Sequence, residues 1–256
     1  MKISIITITY NAEKALVPTA ESVLMQDFSN IEHLIIDGLS KDSTIDVAEE
    51  YKHRNDVTNN GHEVIIMSEP DHGIYDAMNK GLRKANGDFI VFLNAGDTLP
   101  EKNTISSVAK AAQTQANVAV VYGDTNITDE NGTFLRHRRL HPGSKLTWQS
   151  FKYGMLVCHQ AFYARREIAK DIHYDLQYRH SADVDWCIRI MKDAERKKMP
   201  LVYTGSVIAN FAIGGNTTQN HRDSLKERFR IMYHHYGIVT TILMHCWFVV
   251  RAVAKR

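Results

Sequence analysis

The stretch Lys2–Asp37, KISIITITYNAEKALVPTAESVLMQDFSNIEHLIID, decides the fold class. Lys2 to Thr9 is a β-branched run ended by Asn11, the composition of a strand that packs on both neighbours. Ala12 to Gln26 then repeats apolar residues at helical period, with Ala15, Leu16, Val23 and Leu24 among them. Ile31 to Asp37 is a second strand, closed by Gly38. Strand, helix and strand in so short a span form a βαβ unit, whose strands are parallel.

The pattern repeats outward. Asp42 or Ser43 can cap a helix through Tyr51, His62–Ser68 is a third strand and Gly73–Ala85 a third helix. Asp88–Leu93 (DFIVFL) is nearly all apolar, as expected of a strand covered on both faces. Glu101–Gln115 reads as a helix and Val118–Tyr122 as a fifth strand. Successive βα units predict an α/β protein with a right-handed, mostly parallel, doubly wound sheet. Beyond them the regularity breaks. TNITDENGTFLRHRR (Thr125–Arg139) reads as a hairpin around Asn131-Gly132, a type I′ turn signal. HQAFYAR (His159–Arg165) reads as a strand, Ser181–Ala194 as a helix, LVYT and VIANFAI as short strands, and the chain beyond Thr218 as a helix. No Pro-, Gly- or Ser-rich linker divides the halves, so one α/β body with a mixed C-terminal part is expected.

With 256 residues and 44% hydrophobic content the chain can bury a core, and its 14 Gly, 5 Pro and 3 Cys exclude collagen, disorder and a disulfide scaffold. Thirty-one basic against 29 acidic residues leave a formal +2, so nucleic acid is not the expected partner. Cys158, Cys187 and Cys246 are isolated thiols without metal spacing, which points to a reducing cytoplasm. The N-terminal run lacks a secretory cleavage pattern and reads as strand. Gly237–Val250 (GIVTTILMHCWFVV) carries no charge, is followed by RAVAKR, and falls short of the ~20 apolar residues of a membrane span. A core-packed helix and an amphipathic helix in a membrane interface, anchored by Trp247 and basic residues, are both open.

Ligands of open α/β sheets bind beyond the carboxyl ends of the strands. Those ends carry Thr9-Tyr10-Asn11, Asp37-Gly38, Glu69-Pro70-Asp71-His72-Gly73 and Asn94-Ala95-Gly96-Asp97. G-x-G-x-x-G, P-loop and G-x-S-x-G motifs are all missing. What remains is an acidic edge suited to ribose hydroxyls and to a hard cation bridging phosphates. Asp37 and Asp97 each have a plain alternative as turn or capping residues, and Gly96 leaves room for a phosphate or metal at the backbone. In SEPDHGIYDAMNKG (Ser68–Gly81), Asp76 and Asn79 lie three apart on one helix face, a polar row that is either solvated or ligand-facing.

Together, Thr7-Ile8-Thr9-Tyr10-Asn11, Ser22-Val23-Leu24-x-Gln26, Asp37-Gly38-x-Ser40-x-Asp42-x-Thr44, SEPDxGIYDAMNKG and FLNAGD resemble the family 2 glycosyltransferases. The likeness is nearest to the bacterial polysaccharide-building branch, colanic-acid-type enzymes included. It is dense over residues 1–100 and patchier to about 215. The resemblance implies a GT-A fold over residues 1–215, with a nucleotide-binding half (1–123) and an acceptor half (124–215), followed by a helical extension (216–256). It also implies a nucleotide-diphosphate sugar donor, a saccharide or lipid-linked acceptor, Mg²⁺ or Mn²⁺, and inversion at the anomeric carbon. Carried over by position, Thr9 and Asn11 line the nucleotide pocket, Asp37 holds base or ribose, and Asp71 sits beside the nucleotide. Asp76, Asn79, Asn94 and Gly96 belong to the same donor set. The D-x-D-type motif falls on Asn94–Asp97, leaving Asp97 as its one carboxylate. His159 and Gln160 resemble the acceptor-side strand, and Ser181–Trp186 (SADVDW) the acidic motif that supplies the base. Ala182 stands where the family usually has Glu.

In that motif Ser181 would cap a helix with Asp183 in its first turn, where the helix dipole favours an ionised carboxylate. Asp183 is then the expected general base. Asp185, about 200° around the helix, is expected to brace the helix start or pair with Arg189, beside Trp186. Gly214–Thr218 reads as a hinged lid. His221, Arg222 and Arg228 read as a solvated face or diphosphate contacts, and Arg136–His141 as a guarded hairpin edge or an anionic-lipid patch. Two rival readings are a nucleotidyltransferase making sugar nucleotides and a non-catalytic glycan-binding relative. The expected location is the cytoplasm, with the inner face of the membrane as a second site.

Overall fold

The computed structural model describes residues 1–213 and 221–253. Its N-terminal half alternates as β1 (Ile3–Thr9), α1 (Glu13–Leu24), β2 (Ile31–Asp37), α2 (Thr44–Thr58), β3 (Glu63–Ser68), α3 (Ile74–Lys84), β4 (Phe89–Phe92), α4 (Thr104–Ala112) and β5 (Val120–Thr128). β6 (Phe134–His137), β7 (Phe162–Arg165), a single-turn α5 (Arg166–Ala169), α6 (Ala182–Arg196), β8 (Leu201–Ala212) and α7 (His221–Val253) follow. They build one eight-stranded sheet in the order β3-β2-β1-β4-β7-β5-β6, with β8 on β5. β1 to β4 pair in parallel, β8 is parallel to β5, and β7 runs against both β4 and β5. This mostly parallel sheet flanked by helices fits the GT-A arrangement that the resemblance implies.

Burial explains the parallel half. All of β2 and β4 is buried, as both faces of a doubly wound sheet require. Each fully buried Ile, Leu or Phe there contributes roughly 1.5–3 kcal/mol. Phe92 and Phe162 from the sheet meet Trp186 of α6 edge-on, so α6 is seated on the sheet by its aromatic core.

The second half corrects several expectations. β7 slots between β4 and β5, a pairing between residues far apart in sequence. Only Phe162–Arg165 of the HQAFYAR segment is strand; His159–Ala161 is a 3₁₀ turn. LVYT and VIANFAI are one strand, β8, kept continuous through Gly205, whose φ of 72° absorbs a bulge. The β5–β6 hairpin exists, but Asn131 is not at positive φ, so its turn is not type I′. Gly132 (φ 80°) alone is left-handed, and Asp129 Oδ1 accepts from the amides of Asn131 and Thr133. α4 is shorter than its periodicity suggested, and α2 longer. Asp42, not Ser43, accepts the first amide of α2, from Thr44.

α7 breaks at Gly237 (φ 78°, ψ 167°), a conformation closed to residues with a Cβ. The ring of His245 lies 4.9 Å from that of Phe229, so the two segments fold back on each other. The first is bound to the body: Glu227 accepts from the amides of Arg179 and His180, and Tyr236 stacks on Trp148. The second is not core. Within Gly237–Val250 only Thr241 is buried, while Val239, Leu243 and Trp247 are 69%, 64% and 51% exposed. The core-packed reading of this segment therefore fails. Among the described residues no helix is long and apolar enough to cross a membrane.

Candidate active site

A cleft of about 800 Å³ opens beyond the carboxyl ends of β1 to β4 and the end of β8. Thr9, Asn11, Asp71, Asn94, Gly96 and Asp97 line it. Glu130, from the β5–β6 hairpin, adds a third carboxylate that no sequence signal marked. The described lining contains no Lys or Arg.

The loop after β2 shapes one end of the cleft. Asn11 (φ 49°) uses its side chain to accept from Lys41 N, and Ser40 Oγ accepts from Asn11 N. Gly38 lets Asp71 approach, since a Cβ there would meet the Asp71 carboxylate. Leu39, on the lining, holds φ 60°, a strained conformation for a branched residue and typical of functional sites. Asp71 Oδ1 accepts from Gly73 N, which fixes the turn into α3.

Asp37 does not line the cleft. It is fully buried and ties three strand ends together, accepting from Thr9 Oγ1 (3.0 Å), Ser40 N (2.9 Å), Ser68 Oγ (2.7 Å) and Ser40 Oγ. Burial pushes its carboxyl up, but these four bonds outweigh that and hold it below the usual range. Asp76 is turned to the preceding loop, accepting from His72 N and lying 4.0 Å from Lys80. Asn79 faces inward and grips the Tyr174 backbone, donating to its carbonyl (2.9 Å) and accepting from its amide (2.7 Å). The polar row on α3 is thus neither solvated nor gathered at the cleft.

Asp97 sits at the cleft floor on a loop held by Thr19 and by Thr98–Asn210 pairing to β8. Gln160 Nε2 donates to its Oδ2 (2.7 Å) and Ala212 N to its Oδ1 (3.1 Å). Burial raises its pKa to about 6 despite those bonds. Gln160, expected on the acceptor side, is bonded to Asp97. Trp186 is fully buried, donating to Ile172 O, and contributes packing only.

Asp183 occupies the first turn of α6; it does not line the cleft and joins it through His159 and Asn94. Tyr75 OH donates to its Oδ1 (3.2 Å) and His159 Nδ1 to its Oδ2 (3.2 Å), while Asn94 Nδ2 donates to His159 Nε2 (3.1 Å). Burial works against ionisation, yet the His159 bond and the charge of Arg228 hold Asp183 below the usual carboxylate range. Ser181 is the N-cap by position, but its hydroxyl bonds Ser224 of α7 instead of capping α6. Asp185 points away, accepting from Arg189 Nε (2.6 Å) and His235 Nε2 (2.7 Å). The two carboxylates diverge as the helical spacing requires. Tyr75, inside the GIYD segment, carried no sequence signal beyond the motif itself.

The sequence profile of glycosyl transferase family 2 matches residues 4–172. The chain belongs to this family. A Mycobacterium bovis "PGL/p-HBAD biosynthesis glycosyltransferase" is 33% identical over 187 residues, 73% of this chain and 68% of that protein. In structure, S. aureus TarS 1–349 in complex with UDP-GlcNAc matches with a TM-score of 0.71 at 19% identity, covering 91% of this chain and 64% of that one. The chain thus spans somewhat under two thirds of that TarS fragment. Glucosyl-3-phosphoglycerate synthase from Mycobacterium tuberculosis, in complex with Mn²⁺, UDP and its product, matches at 0.62 and 15% identity over 93% of this chain and 80% of that one. The chain is a glycosyltransferase of GT-A fold, and these structural likenesses are of fold.

Arg138 of the basic cluster donates to the carbonyls of Leu156 and Met155, a structural role, while β6 is an exposed edge. All three cysteines are free. The Gly214–Thr218 segment, the 215/216 boundary and Lys255-Arg256 lie outside the described residues.

Proposed function

We propose that this chain is an inverting transferase that moves a sugar from a nucleotide-diphosphate donor to a saccharide or lipid-linked acceptor in bacterial surface polysaccharide or glycolipid synthesis. The observation that carries it is an open cleft lined by Asp71, Asp97 and Glu130, with Asp183, held below the usual carboxylate range, tied to the cleft residue Asn94 through His159. The resemblance of the motifs to the bacterial polysaccharide-building branch supports a polysaccharide product, and the name of the mycobacterial relative favours a lipid-linked acceptor.

The nucleotide would lie against Thr9, Asn11 and Asp71, with Asp37 acting from beneath as the knot that shapes the pocket. Asp183 takes the proton of the acceptor hydroxyl as that oxygen bonds the anomeric carbon. The bond from that carbon to the diphosphate breaks, and its electron pair leaves with the diphosphate. Such base catalysis contributes typically 10²–10⁴-fold.

The donor set fits a divalent cation held jointly with substrate. Three carboxylates line a cleft with no cation among its described residues, and the buried Asn94 Oδ1 finds no partner there. A dianionic diphosphate would be repelled by that lining unless neutralised. No group of three ligating side chains stands ready among the described residues, so Asp97 would hold the ion together with phosphate oxygens and water, a normal shell for Mg²⁺. When bound, Mg²⁺ or Mn²⁺ neutralises charge on the leaving diphosphate.

The reading also divides the chain into donor half, acceptor half and helical extension, and places it in the cytoplasm and at the inner membrane face. The outward stripe of Val239, Ile242, Leu243, Trp247 and Val250, with Arg251 next in sequence, suits an anionic bilayer surface. Incubating the full chain with UDP-, GDP- and dTDP-sugars, with and without Mn²⁺, tests the central activity. Metal-dependent release of nucleotide diphosphate from at least one donor is expected; release from none, with or without membrane lipid extract as acceptor source, would overturn it.

A further inference from the structure

We propose that Tyr75 and His159 are positioning residues that clamp the Asp183 carboxylate from two sides, and that the clamp is tied to the wall of the donor cleft through Ile74 and Asn94. The inference rests on the reading of Asp183 as the base. It gives a role to the GIYD segment, whose Asp76 and Asn79 turn away from the cleft.

Both oxygens of Asp183 are held, Oδ1 by the Tyr75 hydroxyl and Oδ2 by His159 Nδ1, each at 3.2 Å. Two fixed donors set the plane of the carboxylate and leave each oxygen a further lone pair for an acceptor hydroxyl. Neither donor is free to swing. The Tyr75 ring stacks on Tyr174 (5.4 Å, 20°), and Tyr174 stacks on Trp186 (5.0 Å, 12°). Asn79, four residues along α3, grips the Tyr174 backbone at both its amide and its carbonyl. Burial, followed by the charge of Asp183, keeps the Tyr75 hydroxyl protonated and therefore a donor. On the other side Asn94 Nδ2 donates to His159 Nε2, which leaves the ring proton on Nδ1, where it meets Asp183.

The clamp touches the donor site at both ends. Gly73 and Ile74, immediately before Tyr75, line the cleft, as does Asn94. A donor seated there would press on the residues that hold the base. Among the described residues, other groups whose charge bears on Asp183 include Arg228 from α7, which favours the carboxylate, and Cys158, Cys187 and Tyr174, which burial keeps neutral.

The test is a ¹³C NMR titration of carboxyl-labelled Asp in the full chain, with the Asp183 signal assigned by its loss in Asp183→Asn. Tyr75→Phe removes one hydroxyl and keeps the stack; His159→Leu removes the imidazole donor, and His159→Asn restores an N–H near Nδ1. Removing a donor to the charged form raises a carboxyl pKa. Tyr75→Phe and His159→Leu should each move the Asp183 midpoint up by about one pH unit, and His159→Asn should return it toward wild type. In any donor that turns over, the acid limb of the kcat profile should shift by the same amount, with donor KM unchanged. An unmoved Asp183 midpoint in folded Tyr75→Phe and His159→Leu would overturn the clamp. That result is separable from failure of the base: Asp183→Asn with wild-type turnover would sink the base reading whatever the midpoints do.

Discussion

Asp183 and Asp185 share the first turn of α6, and burial opposes ionisation of both, yet their surroundings give them different work. Asp183 is held by a phenol and an imidazole, and the imidazole is bonded in turn to Asn94 of the open cleft. Asp185 is locked between Arg189 on its own helix and His235 of α7, which in turn accepts from Lys192. Both are held below the usual carboxylate range, Asp183 by His159 and Asp185 by His235 and Arg189. A low pKa therefore does not identify a base. What separates the two is their surroundings: the Asp183 side chain keeps 16% exposure and joins the cleft residue Asn94 through His159, whereas that of Asp185 is 5% exposed and engaged on both oxygens.

The largest effect should follow from Asp183→Asn, which keeps shape and removes proton acceptance. Transfer should fall by at least ~10² while donor affinity, measured by calorimetry, stays within a few-fold. If Asp185→Asn gave the larger loss of turnover, the roles of the two faces would have to be exchanged.

Asp185→Asn should act on stability instead. Breaking one partner out of a buried ionic network costs roughly 3–5 kcal/mol, and here it would also loosen the first segment of α7. The folded pKa of Asp185 is depressed, so its contribution is fully present above the unfolded carboxyl value near ~4 and is lost as pH falls through the folded value. Thermal unfolding should show the gap between wild type and variant widest near neutrality and closing in acid. A gap that persisted unchanged at acidic pH would mean the network is not ionic.

The smallest effect contrasts the two segments of α7. Truncation before Gly237 should lower recovery on anionic liposomes a few-fold and leave recovery on neutral ones unchanged. Equal recovery of full-length and truncated protein would leave the exposed stripe without a membrane role.

How much of this was legible in the sequence follows from the range of the interactions. β1 to β4 and α1 to α3 announce themselves because period and turn chemistry are local, and the cleft residues Thr9, Asn11, Asp71, Asn94, Gly96 and Asp97 follow from strand ends alone. The insertion of β7 between β4 and β5 could not be read, since it depends on Phe89 and Ile90 pairing with Arg165 and Ala164, far along the chain. Side-chain direction was the other gap. Asp37 stood at the right strand end, but its charge is consumed by Thr9, Ser40 and Ser68. Asn79 shared a face with Asp76 on paper, yet serves Tyr174, ninety-five residues away. Gln160 and His159 are neighbours in sequence and part company in space, one to Asp97 and one to Asp183.

The cation shared between Asp97 and the donor is the claim on which the enzymatic account turns, and calorimetric titration of UDP, GDP and dTDP tests it most directly. Wild-type protein should bind at least one of them in Mn²⁺ and none in excess chelator, Mn²⁺ alone should give no measurable binding, and folded Asp97→Asn should lose the metal-dependent signal. Equal nucleotide binding with and without chelator, or undiminished binding by Asp97→Asn, would contradict the account.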